Sequence, residues 1–496
     1  MSDPTHLVGT DRPGRVRIAH LPALDGLRGA AVVAVVAFHL GLITGGYLGV
    51  DLFFTLSGFL ITSLLVAEWR ANGRIDLRRF WARRARRLLP ALLLSLAAVA
   101  WATRRWASST QLTQIRLDAY AALAYIANWR SVAAGTDYWN LYARPSPLQH
   151  TWSLAIEEQF YVLWPLLTVA ALAWFGSRRR QATQATHATS QGPPTEAVVH
   201  ARLNRYLTVT VLGAVASATA ALVRYRGVAD ANRVYFGTDT RVAAILFGAA
   251  FAIASARYGA LVGPQRRWLL EGAAAIAAIG LGWAWLYLPG TDPRLYQGGL
   301  LACGVAAVVV LAAASHPRTG PIARVLSFPP LRWLGFISYG LYLWHWPVIV
   351  FFTPLRTGWY GKQLLLGRIG LSLALALVSY WVIERPIRHG LGRARAGGWA
   401  MRLATPAAGV LVVAIVVWST QGGVAPFGER GGGRDRLVVA DGPIPPVVAG
   451  RPRLLVVGDS GAWGLQKPLH QVAPARQVDA VDRGTTACGI VPGDGR

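Results

Sequence analysis

Arg28 and His39 share one apolar run, LDGLRGAAVVAVVAFHLGLI. Eleven positions separate them, close to three turns at 3.6 residues per turn, so on a helix both side chains fall on nearly the same face, about 16 Å apart. An ionisable group inside a hydrophobic span is expensive to keep in lipid and by default marks a site. A histidine there can act as a general base on a hydroxyl, because its ordinary pKa lies near neutrality. The structural alternative is an imidazole hydrogen-bonded to a neighbouring helix. Further ionisable side chains interrupt other apolar runs: Asp51, Glu157, Glu158, Arg241 and His345. If the first two spans form a hairpin turning at Gly45-Gly46, His39 and Asp51 lie equally far from the turn and can meet as an imidazole–carboxylate pair. Equal depth favours Asp51 as the partner, with Glu157 and Glu158 as the other candidates. Together these six groups, drawn from five spans, point to a polar cavity in the outer half of the membrane. Ser57 and His345 are secondary candidates, since core packing and an aromatic-belt hydrogen bond account for them equally well.

A second group gathers at the opposite end. Arg28 opens the first span, Arg83, Arg84, Arg86 and Arg87 precede Leu88-Leu89-Pro90 at the start of the third, and Arg332 and Glu384-Arg385-Pro386 fall on the same side. A plain cytoplasmic positive patch explains any single member. Arginine also recognises phosphates bidentately, so a phosphorylated cytoplasmic donor is the expected ligand.

The elements that must carry these residues are membrane helices. With 53% hydrophobic residues and 20 Trp in 496 positions, the chain reads as a polytopic membrane protein. The formal charge of +27 is almost all arginine, Lys362 and Lys467 being the only lysines. These arginines cluster between apolar runs, as in cytoplasmic loops, which argues against a nucleic-acid partner. Cys303 and Cys488 indicate neither a disulfide framework nor a thiolate metal site. No cleavable signal peptide is evident, and the first span reads as an uncleaved anchor. Runs long enough to cross, or nearly so, lie at about 28–44, 47–67, 88–106, 154–175, 206–223, 240–257, 268–287, 297–314, 334–353, 365–384 and 402–419. A weaker run, 116–134, carries Asp118, Asn128 and Arg130. If it does not cross and the N-terminus is cytoplasmic, every strongly arginine-rich loop lies inside; if it crosses, the later ones invert. We therefore expect a non-spanning outer segment at 116–134, a cytoplasmic N-terminus and an extracytoplasmic C-terminal segment.

Seven motifs in order, LDGLRG followed by FH, GGYLGVDLFFTLSGFLIT, FWARRARRLLPA, HTWSLAIEEQFYVLWP, GTDTRVAAILFG, SYGLYLWHWPV and YWVIERPIR, resemble the acyltransferase family 3 integral-membrane proteins, bacterial O-acyltransferases of surface polysaccharides. The family's basic residue, ten intervening residues and histidine match Arg28 and His39, and its paired-arginine motif matches Arg84 and Arg87. The resemblance implies an all-α polytopic fold: a ten-helix acyltransferase core and one further transmembrane helix. The expected organisation is a cytoplasmic tail over 1–20, the membrane domain over 21–400, the extra helix over 401–420 and a Gly/Pro-rich linker over 421–452. Residues 453–496 follow, where RLLVVGDSGAWGL resembles the first block of an SGNH hydrolase-like α/β domain. Only 36 residues follow Ser460 and His470 is their one histidine, so that domain is expected to be a truncated fragment and Ser460 inactive.

The implied reaction is O-acyl transfer in the bacterial cytoplasmic membrane, from cytoplasmic acyl-CoA, acetyl-CoA being the expected species, to a hydroxyl of an envelope glycan or lipid-linked sugar. Acyl-CoA is a substrate here and no permanent cofactor is expected. Arg28, Arg84 and Arg87 would hold the CoA phosphates while the pantetheine arm lifts the thioester toward His39. Two rival classes are a transporter or flippase of an anionic envelope precursor and a non-catalytic sensor or assembly module. No inverted repeat favours the transporter. The identities of the acyl group and acceptor stay open.

Overall fold

The structure is a computed structural model; it describes residues 8–10, 16–18, 20–107, 109–139, 145–183, 196–259, 266–389, 398–420, 453–456 and 479–482. The chain divides into two units, Met1–Pro426 and Phe427–Arg496.

The first unit is a helical membrane domain. It begins with a short antiparallel pair, β1 (Val8–Thr10) and β2 (Val16–Ile18). Long helices follow: α1 (Pro22–His39), α2 (Gly49–Asn72) and α3 (Leu77–Trp106). Two short helices, α4 (Ser109–Leu123) and α5 (Ala127–Ala133), precede α6 (Thr151–Thr183) and α7 (Glu196–Arg224). Next come α8 (Ala231–Phe236), α9 (Thr238–Tyr258), α10 (Arg267–Tyr287) and α11 (Leu300–Ala314). The chain continues through α12 (Pro321–Leu326), α13 (Pro329–Phe336), α14 (Ser338–Phe351), α15 (Pro354–Thr357), α16 (Gly361–Val378), α17 (Arg385–His389) and α18 (Gly398–Thr420). Among the described residues eight helices are long and apolar enough to cross a membrane, or nine when α13 and α14, bent by 72° at Ile337, count as one span. This is a multi-pass membrane protein. Helix α6 carries its glutamates in the first turns and α18 has a shorter apolar stretch, Gly409–Thr420; these helices hold the other two of the eleven apolar runs.

The run at 116–134 falls in α4 and α5, 15 and 7 residues long. Fifteen residues rise only about 22 Å, short of a hydrocarbon core of about 30 Å. Between them Tyr125 takes a φ of 54°, the left-handed region that breaks a helix. Gln159 of α6 clasps this break, donating to the Tyr125 carbonyl at 2.8 Å and to Asn128 Oδ1 at 2.9 Å. Asn128 in turn donates to the Phe236 carbonyl at 3.0 Å. The segment is thereby fastened across α6 and α8.

Small residues set the closest helix crossings, as membrane helices require where lipid offers no hydrophobic drive. A Cβ on Gly58 of α2 would stand 1.8 Å from the Ile245 carbonyl oxygen of α9, and one on Gly248 of α9 would stand 1.9 Å from that of Thr55. Likewise a Cβ on Gly26 or Gly29 would collide with the backbone of Leu326 or Leu331, so the glycines of LDGLRG seat α1 against α12 and α13. The arginine run, expected in a loop before the third span, lies inside α3, whose N-cap Asp76 accepts from the Arg79 amide at 2.9 Å. Arg84 and Arg87 are therefore one turn apart on a single face.

In the second unit, β3 (Arg453–Val456) pairs in parallel with β4 (Asp479–Asp482). Ser460 lies outside the described residues.

Candidate active site

Helix α1 ends on His39, and α14 brings His345 against it: His39 Nδ1 stands 2.9 Å from His345 Nε2. The other ring nitrogen, His39 Nε2, is 3.1 Å from the Tyr138 hydroxyl, on the chain beyond α5. His345 is fully buried, and its Nδ1 lies 2.7 Å from the Tyr342 carbonyl oxygen and 3.2 Å from that of Leu341. Carbonyl oxygens only accept, so His345 Nδ1 carries the hydrogen. In the neutral ring its Nε2 is then an acceptor, His39 Nδ1 donates to it, and the lone pair of His39 Nε2 accepts from Tyr138. The network thus sets His39 up as a base whose lone pair faces the Tyr138 side. Burial pushes the Tyr138 phenol above its ordinary value, so it stays a neutral donor. The ring packs on Tyr235 and Phe236 with centroids at 5.1 and 5.8 Å, and its amide donates to Asn232 Oδ1 at 3.0 Å. Trp346 lies 4.6 Å from the His39 ring, and His150 lies 5.6 Å from that of His345.

The expected pairing of His39 with Asp51 does not form, since neither nitrogen of His39 meets a carboxylate. Asp51 is buried and its Oδ2 accepts from Arg241 at 3.0 Å, while that guanidinium covers the Tyr235 ring at 4.8 Å. Equal spacing from the turn does not bring the two together, because rotation about the helix axis decides which neighbour each side chain meets. Asp51, Thr55 and Gly58 share the face of α2 that packs on α9, where Arg241 resides.

Glu157 is also elsewhere. Ser57 donates to its Oε1 at 3.0 Å and Tyr161 to its Oε2 at 3.2 Å. These residues line a cavity of about 80 Å³ together with Arg28, Arg84 and Arg87. Arg84 lies 4.9 Å over the Tyr161 ring. Glu158 is buried, with no hydrogen-bond partner for Oε1. The single polar level expected of six groups is thus three clusters: the histidine pair, the Asp51–Arg241 pair, and Glu157 with the arginines. The grouping of Arg28 with Arg84 and Arg87 is found in the structure, and Ser57 joins it.

Tyr342 links two of these clusters. Its ring lines the arginine cavity, its carbonyl accepts from His345, and its hydroxyl bonds Ser153 Oγ at 2.6 Å and the His150 carbonyl at 2.8 Å. Phe53 faces it at 6.4 Å. Tyr342 therefore touches both the arginine cavity and the histidine pair, with Phe53 beside it. Sequence reasoning missed Tyr138, Tyr342 and His150; the last stood in plain view in HTWSL, whereas Tyr138 belongs to a segment without periodicity. Among the described residues no group of His, Cys, Asp or Glu is arranged to hold a metal ion.

A family model described as an acyltransferase domain matches residues 21–419. The chain belongs to this acyltransferase family. It is 34% identical over 383 residues to peptidoglycan O-acetyltransferase OatA of Listeria monocytogenes, covering 76% of this chain and 57% of that protein. It is 35% identical over 378 residues to O-acetyltransferase OatA of Staphylococcus aureus, covering 74% and 57%. The matched region is thus little more than half the length of these relatives. No solved structure matches.

Proposed function

We propose that this protein is a membrane O-acyltransferase that carries an acyl group, acetyl in the first instance, from acyl-CoA to a hydroxyl of an envelope glycan. The observation that carries the reading is the hydrogen-bond chain from the Tyr342 carbonyl through His345 to His39, which leaves the unprotonated His39 Nε2, now accepting from Tyr138, as the basic site. The names of the relatives support acetyl as the group and a peptidoglycan-like glycan as the acceptor class.

Arg28, Arg84 and Arg87 present three cations to one cavity that also holds Glu157, leaving an excess of positive charge suited to phosphates. About 80 Å³ is well below the roughly 300–1,000 Å³ of a small-ligand pocket. The nucleotide therefore stays at the cytoplasmic mouth, and only the thin pantetheine arm threads past Tyr342 and Phe53. At His39 the acceptor hydroxyl takes the place of Tyr138. Its proton passes to Nε2 as its oxygen attacks the thioester carbonyl, the carbon–sulfur bond breaks, and the imidazolium returns the proton to the CoA thiolate. His345 shares the transient positive charge, its Nδ1–H being aimed at two carbonyl dipoles.

The test is transfer of radiolabel from acetyl-CoA to a glycan by the purified full chain in lipid. Label appearing in an ester that mild alkali releases is expected; CoA binding without transfer would contradict the reading.

A further inference from the structure

A second cavity, about 530 Å³, lies where α4, α5 and the start of α6 converge, within the size range of small-ligand pockets. Its wall is built from chain neighbours of the histidine cluster. Asp137 lines it and precedes Tyr138, which holds His39; Gln149 and Thr151 line it on either side of His150. Ser146 lines it too, and its carbonyl accepts from the Trp346 indole at 2.9 Å, the same ring that packs on His39. Tyr138, His150 and Trp346 thus link the wall of this cavity to the histidine cluster.

The one cation lining the cavity, Arg130, is already matched. Arg130 stands 3.6 Å from Asp118, and Asp137 accepts from Asn232 at 3.0 Å. What remains for a ligand are hydroxyl and carboxamide groups, among them the half-buried Ser131, Thr136 and Gln149. Such a lining exchanges hydrogen bonds with sugar hydroxyls and acetamido groups, and with Asp137 left uncompensated it offers no surplus positive charge to an anion. It lies at the end of the bundle where α1 and α3 finish, away from the arginine cavity.

We propose that this cavity is the acceptor site and that it takes a short neutral, N-acetylated saccharide, whose hydroxyl reaches His39 Nε2 when the Tyr138 side chain swings aside. This rests on the acyl-transfer reading and adds where, and as what, the acceptor binds.

The experiment titrates the full chain in lipid nanodiscs with chitotriose by calorimetry, with free CoA titrated in parallel. Wild type should bind both. Gln149→Leu should weaken chitotriose about tenfold, the loss of roughly one net hydrogen bond, and Ser131→Trp, which fills the cavity, should abolish its binding; CoA affinity should stay unchanged in both. Absence of chitotriose binding in wild type that binds CoA, or wild-type chitotriose affinity in both cavity variants, would overturn the proposal. Failure of CoA to bind would instead count against the donor reading alone.

Discussion

His39 is the residue on which the account turns, and its partner is another histidine. In His345→Phe the acceptor for His39 Nδ1 is gone, so the ring is free to adopt the tautomer that buries its lone pair. Turnover should fall roughly a hundred- to ten-thousandfold with CoA affinity retained, as measured by label transfer beside CoA titration. Asp51 is expected to behave differently. Its ion pair with Arg241 is buried on both sides, and breaking such a pair from one side costs about 3–5 kcal/mol. Asp51→Asn should therefore lower the thermal midpoint, and Asp51→Leu combined with Arg241→Met should recover most of it. A full loss of turnover in a double variant of normal stability would restore Asp51 to the chemistry. The sequence made His39 and Asp51 visible, because charges in apolar runs are conspicuous. It could not choose their partners, since depth along a helix says nothing of rotation about its axis.

The helices place these groups by close backbone approach. With Gly58 and Gly248 each facing a carbonyl oxygen, a side chain at either position must push α2 and α9 apart. Gly248→Val should cost about 1–3 kcal/mol and shift the thermal midpoint, whereas Gly272→Ala, where a Cβ meets nothing, should not. The long apolar runs were legible almost throughout, since lipid demands them. Two features were not. The arginines of α3 fall inside the helix because Asp76 caps it well before the apolar run begins. The last break before His345 is a 72° bend at Ile337, in a stretch whose hydropathy is continuous. The non-spanning segment was legible only through loop charge. Its role in carrying Tyr138 to His39 depends on contacts with α6 and α8 that no local pattern records.

The protein has two polar clusters joined through Tyr342: arginines with Glu157 in one, histidines beside a second polar cavity in the other. This arrangement gives the topology a consequence. If the N-terminus is cytoplasmic, a cysteine placed at exposed Ala134 should react with an impermeant reagent from outside, and one at exposed Arg74 only after permeabilisation. The donor end should show in binding. Arg84→Gln and Arg87→Gln each remove one charge-assisted contact of about 1.5–3 kcal/mol, so affinity for acetyl-CoA should drop by about one to two powers of ten. Added salt should weaken wild type more than either variant.

The most direct test joins the two ends in one tube. Purified wild type and His39→Ala, both in lipid and both shown to bind CoA, are given radiolabelled acetyl-CoA and chitotriose. Wild type is predicted to form the alkali-labile acetyl ester while His39→Ala forms none above the uncatalysed background. Ester formation by His39→Ala at the wild-type rate would contradict the account.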